Sequence, residues 1–94
     1  MKPLRQTFTI KNARGLHARA AALLVQVAER RNASVYIYRD GLRADCKSIL
    51  SVLTLACPQD SEITVEAIGE DAADVLEDIG HLLEHGFGED GHDQ

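Results

Sequence analysis

The sequence predicts an α+β domain in two layers, an antiparallel sheet with helices on one face. Three observations lead there. Alternating and helical apolar patterns follow one another in the order βαββαβα. The pair Asp40-Gly41 lies between two alternating runs and marks a tight hairpin. The other connections are short, as antiparallel neighbours allow. At 94 residues, 45% apolar and 27% charged, the chain suits one soluble globular core that buries roughly 60–65% of its unfolded surface.

Residues 3–10 alternate, Phe8 and Ile10 against Thr7 and Thr9, and read as the first strand. A loop ending at Gly15 leads to a helix from Ala18 to about Arg30. Its stripe Ala21, Leu24, Val25, Ala28 has the i, i+3, i+4, i+7 spacing. Asn32 is the expected stop. Val35 and Ile37 alternate with Tyr36 and Tyr38 in a second strand, and the hairpin turns into a short third strand at about 42–46. The run KSILSVLTLA suits a short helix capped by Ser48; a buried strand is the other reading of the same apolar run. In EITVEAI, the fourth strand, Ile63, Val65 and Ala67 face inward. The last helix starts at a capping Asp71. It carries Ala72, Val75, Leu76, Ile79, Leu82 and Leu83 as its stripe and stops at Gly86. Gly80 inside it costs about 1 kcal/mol relative to alanine. Residues 1–88 are expected to form the domain and 89–94 a frayed acidic tail.

Charge is unevenly placed. Residues 1–48 carry all ten Lys and Arg and three acids, a net +7, whereas residues 49–94 carry twelve acids and no Lys or Arg. The first half therefore offers a positive field to an anionic partner or a phosphoryl group. Nucleic acid is the weaker alternative, because the whole chain is acidic at −5 and no basic stripe is interleaved with aromatics. No apolar run is long enough to span a membrane, and the N-terminal residues lack a signal-peptide pattern. Cys46 and Cys57, without CxxC spacing, read as two small buried or half-buried free thiols.

The start of the first helix is the most informative place. A helix leaves its first four N–H groups without intrahelical partners, and Ser, Thr, Asp or Asn normally caps them. Here His17 stands at that position, after Leu16. The uncapped N–H groups and the helix dipole make an anion seat, and Arg19 adds a forked cation suited to phosphate oxygens. Imidazole is a nucleophile that can carry a phosphoryl group, and transfer of that group needs mainly positioning and charge stabilisation. Gly15 lets the backbone bend close to the oxygens. The bland reading of the same residues is a surface histidine beside a solvated arginine.

The segment GLHARAAALLVQVA, residues 15–28, resembles the active-site segment of the HPr family, the histidine-containing phosphocarriers of the bacterial phosphotransferase system. That family has a Gly-Leu-His-Ala-Arg-Pro-Ala-Ala pattern. KSIL at 47–50 resembles its second signature, around a regulatory serine, and GFGED at 86–90 is similar to the ending of nitrogen-branch relatives. The likeness spans nearly the whole chain. It implies an open-faced β-sandwich, four antiparallel strands covered on one side by three helices. It implies that His17 accepts a phosphoryl group from enzyme I, charged by phosphoenolpyruvate, and passes it to an A-type component. Arg19 would stabilise the phosphate, with the backbone of Ala18 and Arg19 binding its oxygens. Ser48 would be the target of an HPr kinase/phosphorylase. Ala18, Ala22, Lys47, Ile49, Leu50 and Leu53 would form the partner face. The resemblance implies a cytoplasmic monomer with no metal or organic cofactor, no nucleic-acid partner and no insertion into a membrane. It departs at Ala20, where the family has proline; alanine keeps the helix and adds one more donor facing the anion.

Two further readings come from other classes. A regulatory module, binding a transcription factor or transporter under control of Ser48 phosphorylation, would use the same surface. The run HLLEH, residues 81–85, matches a His-x-x-Glu-His zinc pattern and places His81 and His85 on one helix face. A zinc hydrolase needs a third ligand and a cleft, so these read instead as two histidines near a helix C-terminus. His92 lies in the tail.

Overall fold

The computed structural model describes residues 1–89. Its elements are β1 (Leu4–Thr9), α1 (Ala18–Glu29), β2 (Ser34–Arg39), β3 (Leu42–Asp45), α2 (Ile49–Leu53), β4 (Glu62–Ile68) and α3 (Ala72–Glu84), followed by a 3-10 turn at Gly86–Gly88. All strand pairs are antiparallel and the spatial order is β1-β4-β2-β3. The expected order of elements is therefore the observed one, and KSILSVLTLA contains a helix.

Alternation places the core. Phe8, Val35, Ile37, Ala44, Ile63, Val65 and Ala67 point to one sheet face and meet Ala21, Leu24, Val25 and Ala28 of α1, Val52 of α2, and Val75, Ile79 and Leu83 of α3. The opposite face is open. There Arg43 lies 4.7 Å over the ring of Tyr36. Glu66, only 5% exposed, is held by the Arg5 guanidinium at 2.6 Å and by the Tyr38 hydroxyl, which donates to it at 3.2 Å. The β2–β3 hairpin has Arg39 opposite Leu42, so Asp40 and Gly41 are its two loop residues. Both have positive φ, 50° and 83°, as a type I′ turn requires. Gly80 also has a reason: a Cβ there would meet the Phe8 ring at 3.0 Å, so the missing side chain lets β1 and α3 close.

Two expected helix signals act differently. Asp71 occupies the N-cap of α3 but makes no side-chain cap bond. Its carboxylate instead accepts the backbone N–H of Asn32 at 2.7 Å, which ties the segment after α1 to the start of α3. Asn32 does not end α1 either: Arg30 is the C-cap, and Asn32 donates from its side chain to Glu70 at 2.9 Å. These residues tie two loops together.

Ser48 does cap α2, accepting the N–H of Ser51 at 3.2 Å. Ser48→Ala is expected to lower stability by about 1 kcal/mol. Urea unfolding should show a lower midpoint with an unchanged slope.

Candidate functional site

The start of α1 is built from the loop that precedes it. Gly15 has φ +65°, and a Cβ there would lie 2.2 Å from the Cys57 carbonyl oxygen. That close approach lets the Leu16 N–H donate to the same oxygen at 2.9 Å. Asn12, buried, accepts the Gly15 N–H at its backbone carbonyl (3.1 Å) and donates from Nδ2 to the Gly15 carbonyl (2.8 Å). His17 follows as the N-cap with extended backbone and no side-chain cap bond, and its carbonyl accepts the Ala21 N–H at 2.9 Å. The N–H groups of Ala18, Arg19 and Ala20 make no hydrogen bond among the described residues. The start of α1 is thus uncapped, as an anion seat requires, and Ala20 carries an N–H that a proline there would lack.

The side chains around it converge on one carboxylate. Glu89 Oε2 lies 2.5 Å from His17 Nε2 and accepts from Arg19 Nη1 at 2.8 Å. Its other oxygen, Oε1, accepts from Asn12 Nδ2 at 3.1 Å. Arg19 also donates to the Phe87 carbonyl at 3.4 Å. Burial pushes the Glu89 carboxyl up, but hydrogen bonds from Asn12 and His17, the His17 charge and the Arg19 bond outweigh it, so its pKa falls below the usual carboxylate range. Asn12 Oδ1 is buried without a partner.

Glu89 corrects the expectation that the tail begins at residue 89. Gly86, Phe87 and Gly88 all adopt positive φ (57°, 58° and 74°), which turns the chain back over α1. Phe87 is buried and anchors that turn. Residues 90–94, including His92, lie outside the described residues. Neither Asn12 nor Glu89 stands out in the sequence. The Gly-Phe-Gly run was the available signal, because glycines flanking an aromatic can form a sharp, anchored turn.

The remaining expected site residues fall on neighbouring surface. α1 packs against α2. Ala18 and Lys47 are exposed, Ala22, Ser48 and Leu53 half-buried. Ile49 and Leu50 are 40% and 77% exposed, which leaves an apolar pair at the start of α2. His81 and His85 are both exposed, with ring centroids 4.1 Å apart. Among the described residues no group of three or more His, Cys, Asp or Glu could hold a metal ion. Both cysteines are buried free thiols; burial, then the Asp45 charge, pushes the Cys46 thiol up to about 12. The charge asymmetry does not survive folding intact. Arg5 pairs with Glu66, Arg19 with Glu89 and Arg31 with Asp78, each joining the basic half to the acidic one. Among the described residues no helix is long and apolar enough to cross a membrane.

An open-faced sandwich with an imidazole at the uncapped start of its first helix has the form of a small carrier domain. Comparison with known proteins gives the class its family. The family model described as the PTS HPr component phosphorylation site matches residues 4–85. The chain belongs to the HPr family, the phosphocarriers of the phosphotransferase system. It is 38% identical over 86 residues to phosphocarrier protein HPr of Cupriavidus necator, covering 92% of this chain and 97% of that one. It is 34% identical over 89 residues to a multiphosphoryl transfer protein of Haemophilus influenzae, covering 92% of this chain but only 18% of that much longer protein. A crystal structure of HPr from Thermoanaerobacter tengcongensis superposes with a TM-score of 0.87 at 34% identity, covering 96% and 99% of the two chains. Glu89 lies beyond the segment that the family model matches.

Proposed function

We propose that His17 is the phosphoryl acceptor of this carrier, that enzyme I is its donor, and that an A-type component of the phosphotransferase system receives the group. The observation that carries this reading is His17 at the uncapped start of α1, whose first three amides make no hydrogen bond among the described residues, with His17 and Arg19 meeting on Glu89 Oε2. With Nε2 engaged by Glu89, Nδ1 is the ring nitrogen whose lone pair is open to attack phosphorus. The amides of Ala18 and Arg19 and the Arg19 guanidinium then neutralise charge on the transferred oxygens. Ala18, Ala22, Lys47, Ile49, Leu50 and Leu53 form the docking face. Its small apolar centre and flanking cations suit a transient complex with an acidic partner. A phosphoryl group on Ser48 would add close to two negative charges beside Ile49 and Leu50 and oppose that docking. The carrier works as a cytoplasmic monomer.

Incubation with phosphoenolpyruvate and enzyme I is expected to give a phosphoryl adduct that is labile in acid and stable in base, as a phosphoramidate is. An acid-stable adduct, or none, would overturn the reading. Arg19→Ala should slow transfer about tenfold to a hundredfold in a stopped-flow or quench measurement, because one preorganised countercharge is lost. The fold should remain, since the Arg19 side chain is 55% exposed. An unchanged rate would remove Arg19 from the mechanism.

A further inference from the structure

We propose that Glu89 is a positioning residue for phosphoryl transfer: it holds the His17 ring by its Nε2–H and supplies the countercharge when the ring becomes cationic. This inference rests on the reading of His17 as acceptor.

The geometry is specific. The carboxylate spans three partners on two segments, with Asn12 on Oε1 and both His17 and Arg19 on Oε2. An ionised carboxylate only accepts, so its contact with neutral His17 requires Nε2 to carry the proton. Nδ1 is then the nucleophile, and the ring cannot turn to offer the other nitrogen without breaking the bond. Asn12, 3% exposed, is itself tied to the Gly15 carbonyl, so the carboxylate is referenced to the loop that forms the anion seat.

The chain maintains an unfavourable backbone to place this group. Phe87 has φ 58°, a region that side chains with a Cβ rarely adopt, and it lies between two glycines of the same hand. Its buried ring and the Arg19 bond to its carbonyl keep it there. Such local strain persists only where surrounding contacts over-determine it, and here those contacts end in the carboxylate on His17.

The transfer balances without a proton step. The His17 Nδ1 lone pair forms the new N–P bond while the bond from phosphorus to the donor group on enzyme I breaks, and that electron pair stays with the donor. Because Nε2 retains its hydrogen, the His17 ring acquires a positive charge. Glu89 lies directly against that charge, as the buried aspartate of a serine-protease triad lies against its imidazolium. Arg19, shared with Glu89 beforehand, can turn toward the incoming phosphoryl oxygens.

The test uses the full chain as wild type, Glu89→Ala and Glu89→Gln. In the unphosphorylated wild type, proton and nitrogen NMR should resolve a downfield His17 Nε2–H resonance; in Glu89→Ala exchange with water should abolish it. In rapid-quench transfer from phosphorylated enzyme I, Glu89→Gln should lower the maximal rate about tenfold or more. The donor concentration for half-maximal rate should stay within about twofold, because the loss is in the chemical step and not in docking. A structural role alone, closing the C-terminal turn, would shift the melting temperature and leave both readouts in place. Retention of the Nε2–H resonance in Glu89→Ala overturns the proposal, as does a Glu89→Gln rate within about twofold of wild type. A wild type that takes up no phosphoryl group overturns the reading of His17 as well, whereas an active wild type with unimpaired variants overturns only the role of Glu89.

Discussion

Replacing His17 by alanine is expected to abolish phosphoryl uptake while leaving the fold intact. On the proposed reading the ring is the nucleophile, and no other described group is placed to replace it. His81 and His85 are on the last turn and C-cap of α3, at the negative end of a helix dipole, where no uncapped amides hold phosphate oxygens. The two cysteines are buried, and burial keeps their thiols protonated. Stability should change little, because His17 provides no side-chain cap to α1 and the helix loses none of its backbone bonds. Glu89 keeps its bonds to Asn12 and Arg19. The melting temperature should fall by a few degrees at most, on the scale of about 1 kcal/mol. Mass spectrometry after incubation with phosphoenolpyruvate and enzyme I reads the first outcome, circular dichroism the second. An adduct of undiminished yield in His17→Ala would show that the group is carried elsewhere.

Gly15→Ala is expected to have the largest effect on the folded structure. The new Cβ would lie 2.2 Å from the Cys57 carbonyl oxygen and 2.9 Å from Pro58 Cα, both backbone atoms that cannot swing aside. The φ of +65° is unfavourable for alanine in addition. Overpacking and left-handed strain together should cost about 3 kcal/mol or more. The damage falls on the site as well. Forcing Gly15 off Cys57 breaks the Leu16 bond to the same carbonyl and moves His17 and the opening turn of α1. Urea unfolding should therefore show a large loss, and transfer should slow in the surviving folded fraction. Gly41→Ala is the control. Its φ is +83°, but nothing lies within 4 Å of the added Cβ, so only the backbone strain of about 1–2 kcal/mol remains. Equal losses in the two variants would mean that the Cys57 contact is not what makes Gly15 necessary.

The two glycines also separate what a sequence can tell from what it cannot. Gly41 follows Asp40 between two alternating runs, so its turn is evident from neighbours in the chain. Gly15 shares its local bend, but its stricter constraint comes from Cys57, more than forty residues away. Asp71 and Asn32 illustrate the same limit. Each has the residue type of a helix boundary, yet the two bond to each other across the α1–β2 and β4–α3 connections. A capping rule considers only the partners that the next turn offers. Glu66 looks like an outward strand residue, and its burial follows from Arg5 and Tyr38 on adjacent strands.

The sequence by itself determined the order of the main elements, the kind of each apart from the run KSILSVLTLA, the two faces of β1, β2 and β4, and the uncapped start of α1 at His17. Those features arise from hydrophobic period, turn chemistry and missing capping groups, all set within a few residues. Only the tertiary structure decided that Glu89 and Asn12 complete the site. The contacts of Glu89 with His17 and with Asn12 span 72 and 77 positions of chain, and the carboxylate reaches the ring because a buried phenylalanine and two left-handed glycines return the chain end to it. Local preferences carry no information about which distant charge will fill a seat; the packing of α3 against the sheet does.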